Sequence, residues 1–435
     1  METRSASQPF EEIHDALQRL DRSQLIPQTS RLEQSRLDIT EKNRSSRLPW
    51  RGQFAPELIE YFLDVYTRPG ATVLDPFCGS GTVMFEGMAK DLHSIGADVN
   101  PAAYLLSSAV RFTNIDKTKK AALMETARRL AHKFYGAPQG DFFDDQQADS
   151  GQITATRKIV QETEHDPDLH LIVALCLMLG MGDTRTAGLS VFEKGLRLVS
   201  ALVNGLPNSK LCAKALLADA RSLPLEDASV DLVITSPPYI NVFNYHQNYR
   251  PVLELMGWHP LMAAPTEIGA NRKHRQNRFL TVVQYCLDMQ LAFANVSRVL
   301  RSNGRLVLVV GRSSSVLGTP FYNGDLLEAV LTSGIGFSIE EHRHRVFLNR
   351  FGERIYEEII VANRPSDHRA RSIEIGRSIG LSALEAAVDK APNASRPIIL
   401  EALKQAKKVA PSPKLAISIP NPSAHAETSN CVYTE

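Results

Sequence analysis

The stretch ATVLDPFCGSGTVMFEGMAKD, residues 71–91, decides the fold class of this chain. TVLDPF has the apolar run of a buried strand, GSG supplies a turn, and TVMFEGMAK has the pattern of a helix. HSIGADVNPAAYLLSSAV, residues 93–110, repeats this order with a strand that ends at Asp98 and a further helix. Strands that alternate with helices in this way predict βαβ units and a doubly wound α/β sheet.

The alternation continues on both sides of that stretch. FAPELIEYFLDVYTRPG, residues 54–70, has apolar residues at helical spacing and ends at Pro-Gly, so it predicts a helix. Residues 214–239 and 302–314 add strands, and residues 337–364 predict two strands joined at a turn.

These patterns divide the chain into five segments. Residues 113–210 are mostly helical in pattern and interrupt the sheet, and the last residues are rich in Pro, Ser and Ala. We therefore predict a polar N-terminal arm (1–48), a first core part (49–112), a helical insertion (113–210), a second core part (211–364) and a C-terminal extension (365–435) with a disordered tail.

Composition excludes several classes of protein. The 435 residues carry a net charge of only +1, so any surface that binds nucleic acid must be locally basic. The five cysteines form no CxxC pair, which predicts no metal site. The longest apolar run, residues 169–182, is too short for a membrane span, and the N-terminus does not resemble a signal peptide. We expect a cytoplasmic protein without a membrane partner.

Three aspartates at predicted strand ends indicate the ligand. Asp75 precedes a glycine turn in which no lysine follows, so the turn is not a phosphate loop, and an acidic residue there suits an ammonium group. Asp98 ends the next strand, where a carboxylate can bind ribose hydroxyls. Asp219 follows the third strand and could reach an adenine amino group. An amino acid, a ribose and a base together describe S-adenosylmethionine.

A second motif follows the strand VITSPPY, in which two prolines end the strand and stiffen the turn after it. The chain therefore presents Ser236, Pro237, Pro238 and Tyr239 at a strand's carboxyl end, where open α/β sheets bind ligands. These four residues are the candidate catalytic residues.

LDPFCGSGT followed by TSPPY resembles the amino-group DNA methyltransferases, especially the cytosine-N4 type. The resemblance covers roughly residues 50–112 and 213–362, and the long helical insertion has no counterpart in it. It implies a Rossmann-like fold of the S-adenosylmethionine-dependent methyltransferases with a mixed sheet, here with a helical insertion and a helical, then disordered, C-terminal extension. The cofactor-binding residues that it implies, together with the aspartates, are Phe54, Asp75, Pro76, Phe77, Gly79, Gly81, Thr82, Asp98, Asn100 and Asp219.

The residue types of the SPPY motif also suit methyl transfer to an exocyclic amine. The exocyclic amine of cytosine is a poor nucleophile, and acceptors at the Ser236 hydroxyl and the Pro237 carbonyl could bind its two N–H groups. Tyr239 could stack on a flipped base. No covalent intermediate is needed, and the chain has no Pro-Cys pair of the kind that carbon-5 methylation typically uses.

The DNA surface is predicted from the basic run GANRKHRQNR, residues 269–278. Its cations Arg272, Lys273, Arg275 and Arg278 could contact phosphates, although a solvated loop or helix face would look the same. Residues 258–280 and the helical insertion both qualify as the target-recognition region. The partner we expect is double-stranded DNA, in a restriction-modification or related system that can include a cognate restriction endonuclease.

Three alternatives remain open. Adenine-N6 methylation of DNA is the first, although family members with that activity more often carry an acidic residue in place of Ser236. An RNA amino-methyltransferase is the second, because a related cofactor motif occurs there with an Asx-Pro-Pro-Tyr loop. The third is a DNA-binding subunit that has lost catalysis. Five intact residues argue against it: Asp75, Gly79, Gly81, Ser236 and Tyr239.

Overall fold

The computed structural model describes residues 31–39, 44–136, 145–240, 244–270, 274–348, 352–365 and 371–415, with the backbone alone at 145–150. Its strands are β1 (Thr72–Asp75), β2 (His93–Asp98), β3 (Ala213–Leu217), β4 (Val230–Thr235), β5 (Leu300–Gly311), β6 (Ser313–Val316), β7 (Thr319–Tyr322), β8 (Ser338–Leu348) and β9 (Arg354–Asn363).

The α-helices of the described residues lie on both faces of the sheet and in the segment between β2 and β3. They are α1 (Gln34–Asp38), α2 (Pro56–Tyr66), α3 (Thr82–Ala89), α4 (Pro101–Ser108), α5 (Lys117–Tyr135), α6 (Asp145–Thr163), α7 (Pro167–Met181), α8 (Leu189–Asn204), α9 (Arg250–Leu255), α10 (Leu280–Val299), α11 (Asn323–Ala329), α12 (Glu374–Ala387) and α13 (Arg396–Gln405).

Seven strands form one sheet in the order β3-β2-β1-β4-β5-β9-β8, and β6 and β7 form a separate hairpin. The pairs from β3 to β5 are parallel, whereas β9 is antiparallel to both of its neighbours. The predicted α/β fold with a mixed sheet is therefore confirmed. The strand order reverses between β1 and β4, and a crevice opens at the carboxyl ends of the strands there.

The sheet is buried on both faces because its central strands are apolar at successive positions. Val73 packs in one cluster with Phe62 of α2, and its neighbour Leu74 packs in the other with Val283 of α10. Adjacent strand residues point to opposite faces, which explains this division. The two buried layers hold the strand ends rigidly in place.

Residues 117–204 form the helices α5 to α8. The stretches of chain that enter and leave this helical segment lie side by side. The Ser209 amide donates to the Thr113 carbonyl at 2.9 Å, and the Asn114 side chain donates to the carbonyls of Ser209 and Leu211. The described side chains of these helices share a buried cluster with α3 and α4, in which Ile172 and Phe85 take part. Among the described residues, no helix combines the length and the apolar composition that crossing a bilayer requires.

Two terminal segments lie closer to the core than their composition predicts. Leu32 and Leu37, within the predicted N-terminal arm, are buried, and the Val346 amide of β8 donates to Asp38 at 3.0 Å. Residues 409–415, in the stretch predicted to be disordered, instead pack on α10 and α12, where the Arg377 side chain donates to the Val409 carbonyl at 2.6 Å. The predicted disorder of residues 416–435 concerns positions outside the described residues.

Candidate active site

A cavity that opens to solvent lies at the carboxyl ends of β1, β2, β3 and β4. Its lining brings together distant parts of the sequence: residues 50–54, the turn after β1, the end of β2, the turn after β3, the loop after β4, and residues 266–268.

Asp75 forms the base of this cavity at the end of β1. Its Oδ1 accepts from the Thr235 hydroxyl at 2.6 Å and from the Phe77 amide at 3.1 Å, so Oδ2 takes neither bond. Burial raises the pKa of this carboxyl to about 7, against the two hydrogen bonds that lower it. A cation at Oδ2 would favour the ionised form, so the site is suited to an ammonium group.

Asp98, at the end of β2, ties the glycine turn to the second strand. Its Oδ2 accepts from the Gly79 amide at 3.0 Å and its Oδ1 from the Asn100 amide at 2.9 Å, while burial raises its pKa to about 6. Gly79 has a positive φ of 50°, and a Cβ there would lie 2.7 Å from the Trp50 ring. Only glycine fits between this turn and the tryptophan.

Asn100 contributes an unpaired donor to the same wall. Its side-chain oxygen caps α4 by accepting from the Ala102 amide at 2.8 Å, while its Nδ2 is buried without a hydrogen-bond partner. A buried donor of this kind costs stability unless a ligand accepts from it. Nδ2 is therefore placed to bind an acceptor atom of a ligand in the cavity.

Asp219 lies at the cavity wall directly after β3. Its Oδ1 accepts from the backbone amide and Nε of Arg221, both at 2.9 Å, and its Oδ2 accepts from a terminal nitrogen of Arg221 at 2.6 Å. Three of the roughly four acceptor positions of a carboxylate are thus taken. One position, on Oδ2, remains.

Ser236 and Tyr239 close the cavity after β4, where the two hydroxyls lie 3.3 Å apart. The tyrosine ring packs against Gly311 at the end of β5, where a Cβ would lie 3.4 Å from the ring. Burial raises the pKa of Tyr239 to about 12, and the nearby Glu357 charge acts in the same direction. The hydroxyl therefore stays protonated at neutral pH and can donate.

The structure adds residues that the motifs do not indicate. The rings of Trp50 and Tyr245 stack across the cavity with centroids 6.3 Å apart and planes inclined by 8°. Glu267 also lines the cavity and accepts from the amide and Nδ1 of His246 at 2.6 and 2.8 Å. Aromatic residues beside the motifs are a weak sequence signal for the stack, whereas nothing local marks Glu267.

Most of the predicted site residues meet at the cavity. The lining contains Phe54, Asp75, Pro76, Phe77, Gly79, Thr82, Asp98, Asn100, Asp219, Ser236, Pro238 and Tyr239. Gly81 lies behind it as the N-cap of α3, with a φ of 88°, and Pro237 is buried and does not line it.

Two of the predicted DNA-binding residues are described, and they lie away from the cavity. Arg275 is exposed and Arg278 partly buried in the turn before α10, outside the cavity lining, while Arg272 and Lys273 fall outside the described residues. Within the ranges that the structure describes, no group of three or more His, Cys, Asp or Glu side chains could hold a metal ion.

The donors and acceptors of the cavity fit S-adenosylmethionine. Asp75 can bind an ammonium group, Asp98 stands where ribose hydroxyls bind, and the Asn100 amide and the last Asp219 acceptor complement an aromatic base.

Sequence comparison is consistent with this chemistry. Residues 4–108 match the family model of N6 and N4 methyltransferases, described as DNA methylase. Over these residues the match supports the resemblance to the DNA amino-methyltransferases that LDPFCGSGT carries. The methyl donor expected for this family, S-adenosylmethionine, is confirmed as the cofactor with it.

Two curated proteins are similar to the chain. The type II methyltransferase M.MjaII of Methanocaldococcus jannaschii is 36% identical over 90 residues, which is 20% of this chain and 17% of that protein. The type II methyltransferase M.BsoBI of Geobacillus stearothermophilus is 22% identical over 272 residues, or 50% of this chain and 53% of that protein. The chain thus spans about half or less of the length of these relatives.

The solved structures to which the chain is similar are more distant. A methyltransferase dependent on S-adenosylmethionine from Methanosarcina mazei has a TM-score of 0.31 at 15% identity, covering 70% of this chain and 98% of that one. A TehB-like methyltransferase from Corynebacterium glutamicum has a TM-score of 0.28 at 12% identity, covering 71% and 87%. The fold assignment therefore rests on the strand order itself.

Proposed function

We propose that the protein methylates the exocyclic N4 amino group of cytosine in DNA, with S-adenosylmethionine as the methyl donor. One observation carries this proposal: Ser236 and Tyr239, whose hydroxyls lie 3.3 Å apart, line the same cavity as Asp75, Asp98 and Asp219. A cofactor site and a polar site for a flat base therefore meet in one crevice.

We assign the cofactor half of the cavity to the residues after β1 to β3. Asp75 binds the ammonium group, Asp98 the ribose hydroxyls, and Asp219 and Asn100 the base. Phe54, Pro76, Phe77 and Thr82 enclose the ligand, and Gly79 and Gly81 allow the turn that brings backbone amides to it. The bound cofactor supplies an electrophilic methyl group on a sulfonium.

The base half belongs to the loop after β4. The Ser236 hydroxyl accepts from the target amine, which makes its nitrogen lone pair more available. We assign the Pro237 carbonyl as the second acceptor, although Pro237 itself is buried behind the lining of the ligand-free cavity. The Pro237-Pro238 pair fixes both acceptors, because neither residue can rotate about φ. The loop holds the amine in place, and positioning of this kind supplies much of a transfer enzyme's rate.

A neutral residue at position 236 is the feature that supports cytosine over adenine. A serine hydroxyl can accept from one N–H without adding a negative charge to the pocket, and the Tyr239 hydroxyl can donate back to Ser236 at 3.3 Å. Family members that act on adenine more often carry an acidic residue there.

We place the DNA on the side of the molecule that carries the turn before α10. Arg275 and Arg278, with Arg272 and Lys273, contact phosphates in this proposal and carry no sequence information themselves. The protein works in the cytoplasm, on the nucleoid, in a restriction-modification or related system.

The test is incubation of purified protein with methyl-labelled S-adenosylmethionine and mixed genomic DNA, followed by nucleoside mass spectrometry. We expect labelled N4-methylcytosine with the wild type and none with Asp75→Ala. Labelled N6-methyladenine would overturn the choice of base but keep the reaction class. Cofactor binding without label in DNA would overturn DNA as the substrate, and no cofactor binding would support an inactive DNA-binding subunit.

A further inference from the structure

The Arg221 side chain links the cavity wall to a distant part of the chain. It is almost completely buried, and all five of its N–H groups are used. Two go to Asp219, one to Asp288 of α10 at 2.8 Å, and two to the carbonyls of Ser412 and Pro413, both at 2.7 Å. Arg221 therefore cannot move without breaking bonds to three separate segments.

Residues 409–413 are fixed on α10 and α12 by further bonds. The Ser412 amide and hydroxyl both donate to Asp288, the amide at 2.8 Å. The Gln284 side chain donates to the Ala410 carbonyl at 2.9 Å, and Arg377 donates to the Val409 carbonyl. This segment is thus held along its length, although it follows the last helix.

The hydrogen bonds of this cluster are incomplete without the segment. Two buried carboxylates, Asp219 and Asp288, face one guanidinium. A buried charge is tolerated only when its hydrogen-bonding positions are filled. The Ser412 donors serve Asp288, and the carbonyls of Ser412 and Pro413 occupy the remaining Arg221 donors. Arg221 can then hold both Asp219 oxygens.

We propose that residues 409–413 are a positioning segment of the cofactor cavity, which acts through Arg221 to aim the last free acceptor of Asp219 at an exocyclic aromatic amine of the ligand. The ligand class follows from the count of acceptors. Three of the Asp219 positions are occupied by Arg221, so Oδ2 can take one N–H, as an adenine amino group would supply. The inference rests on the proposed cofactor role of the cavity.

If the segment positions Asp219, weakening it should change the selectivity of the cavity for the amino group and not only the affinity for ligands. If residues 409–413 only stabilised the fold, weakening them would lower the affinity for all ligands equally. A site that aims Asp219 would affect a ligand with the amino group more than one with a carbonyl in its place. S-adenosylhomocysteine and S-inosylhomocysteine differ in this group, so the ratio of their dissociation constants reports on Asp219.

The experiment measures both dissociation constants by calorimetry for two shortened chains. One ends after Lys408 and lacks the segment, and its matched control ends after Leu415 and keeps it. We expect the wild type and the control to prefer S-adenosylhomocysteine by about tenfold or more. In the chain that ends after Lys408, we expect the preference to fall by about fivefold or more.

Two full-length variants decide the matter if the chain that ends after Lys408 does not fold. Ser412→Ala removes one donor to Asp288 and should lower the preference in the same direction. Ser395→Ala removes a buried hydroxyl that donates to the Leu317 carbonyl, in the same extension but away from Arg221, and should leave it unchanged. An unchanged ratio in Ser412→Ala and in a folded chain ending after Lys408 would overturn the inference alone. A wild type that binds neither ligand would overturn the proposed function, and this inference with it.

Discussion

The Tyr239 hydroxyl lies 3.3 Å from the Ser236 hydroxyl, across the two prolines that separate these residues. The prolines bend the chain so that the tyrosine turns back, and Gly311 leaves room for its ring. The two hydroxyls therefore form one polar group at the carboxyl end of β4.

Two replacements of Tyr239 distinguish the contribution of its ring to activity from that of its hydroxyl. We expect Tyr239→Phe to lower kcat about tenfold, because Ser236 loses a partner, and Tyr239→Ala to lower it about a hundredfold or more, because the base loses its stacking surface. Dissociation constants for S-adenosylhomocysteine should stay near that of the wild type. Steady-state kinetics and calorimetry check this, and full activity of Tyr239→Ala would exclude base stacking.

Asp75→Asn should stabilise the ligand-free protein while it weakens ligand binding. The folded pKa of about 7 lies above the ordinary aspartate value, so ionisation of Asp75 costs stability that is absent at about pH 4 and complete above pH 7. An asparagine oxygen keeps the bonds from Thr235 and Phe77 without that cost. We expect a gain on the order of 2 to 4 kcal/mol at pH 8 by chemical denaturation, shrinking toward pH 4.

The control for this variant is Asp389→Asn, an exposed position after α12. It should change the free energy of unfolding by only a few tenths of a kcal/mol at either pH. Equal stability of Asp75→Asn and wild type at pH 8 would show that the carboxylate is not destabilised by its burial.

Ligand affinity should rise with pH through the range in which Asp75 and Asp98 ionise. The pKa values of about 7 and about 6 mean that binding an ammonium-bearing ligand releases protons below these values. We expect the affinity for S-adenosylhomocysteine to increase by up to about tenfold per pH unit between pH 5.5 and 7 and to level off above it. Calorimetry in buffers of different ionisation enthalpy measures the proton release. A constant affinity over this range would exclude an ionised carboxylate as the ammonium ligand.

Gly79→Ala should weaken cofactor binding through Trp50. The added Cβ lies 2.7 Å from the indole ring, so the tryptophan must move away from the cavity and its stack with Tyr245 must open. We expect a loss of about tenfold or more in affinity for S-adenosylhomocysteine and a changed tryptophan emission. Gly70→Ala is the control, because that glycine has a positive φ of 81° but open space around it. Equal affinities in the two variants would attribute any loss to backbone strain alone.

Arg275→Ala combined with Arg278→Ala should weaken DNA binding and reduce its salt dependence. Each phosphate contact that is lost should lower the slope of log K against log salt by about one. Arg68→Ala, at an exposed position just before the amino end of β1 and away from the cavity, should leave the slope unchanged. Fluorescence anisotropy on a duplex at several salt concentrations measures this. A wild-type slope in the double variant would remove the turn before α10 from the interface.

The sequence predicts the parts of the site that depend on local pattern. Asp75, Asp98 and Ser236 are recognisable because strands end at them, and all three line the cavity. The stack of Trp50 on Tyr245 depends on tertiary packing, for which aromatic residues beside the motifs are only a weak signal. The same holds for Arg221 and Ser412, which are 191 residues apart and meet only because the chain end packs on α10.

Composition misleads where a few directed bonds outweigh it. Residues 409–415 are rich in residues typical of disorder. Apart from the Ser412 hydroxyl, however, Asp288 and Arg377 hold them through backbone groups, which every sequence possesses. Buried acceptors and donors elsewhere in the fold create that binding site, so its occupant cannot be recognised from its own side chains.

Because the chain is synthesised from its amino end, the bonds between Arg221 and Ser412 can form only after the core strands have been made. A nascent chain that has released β1 to β5 already carries Asp75, Asp219 and Ser236, but the donors of Arg221 still lack two of their acceptors. The wall of the cavity reaches its final form only when residue 413 has left the ribosome. Completion of the cavity thus comes after the core has had the opportunity to fold, as expected where earlier segments fold first.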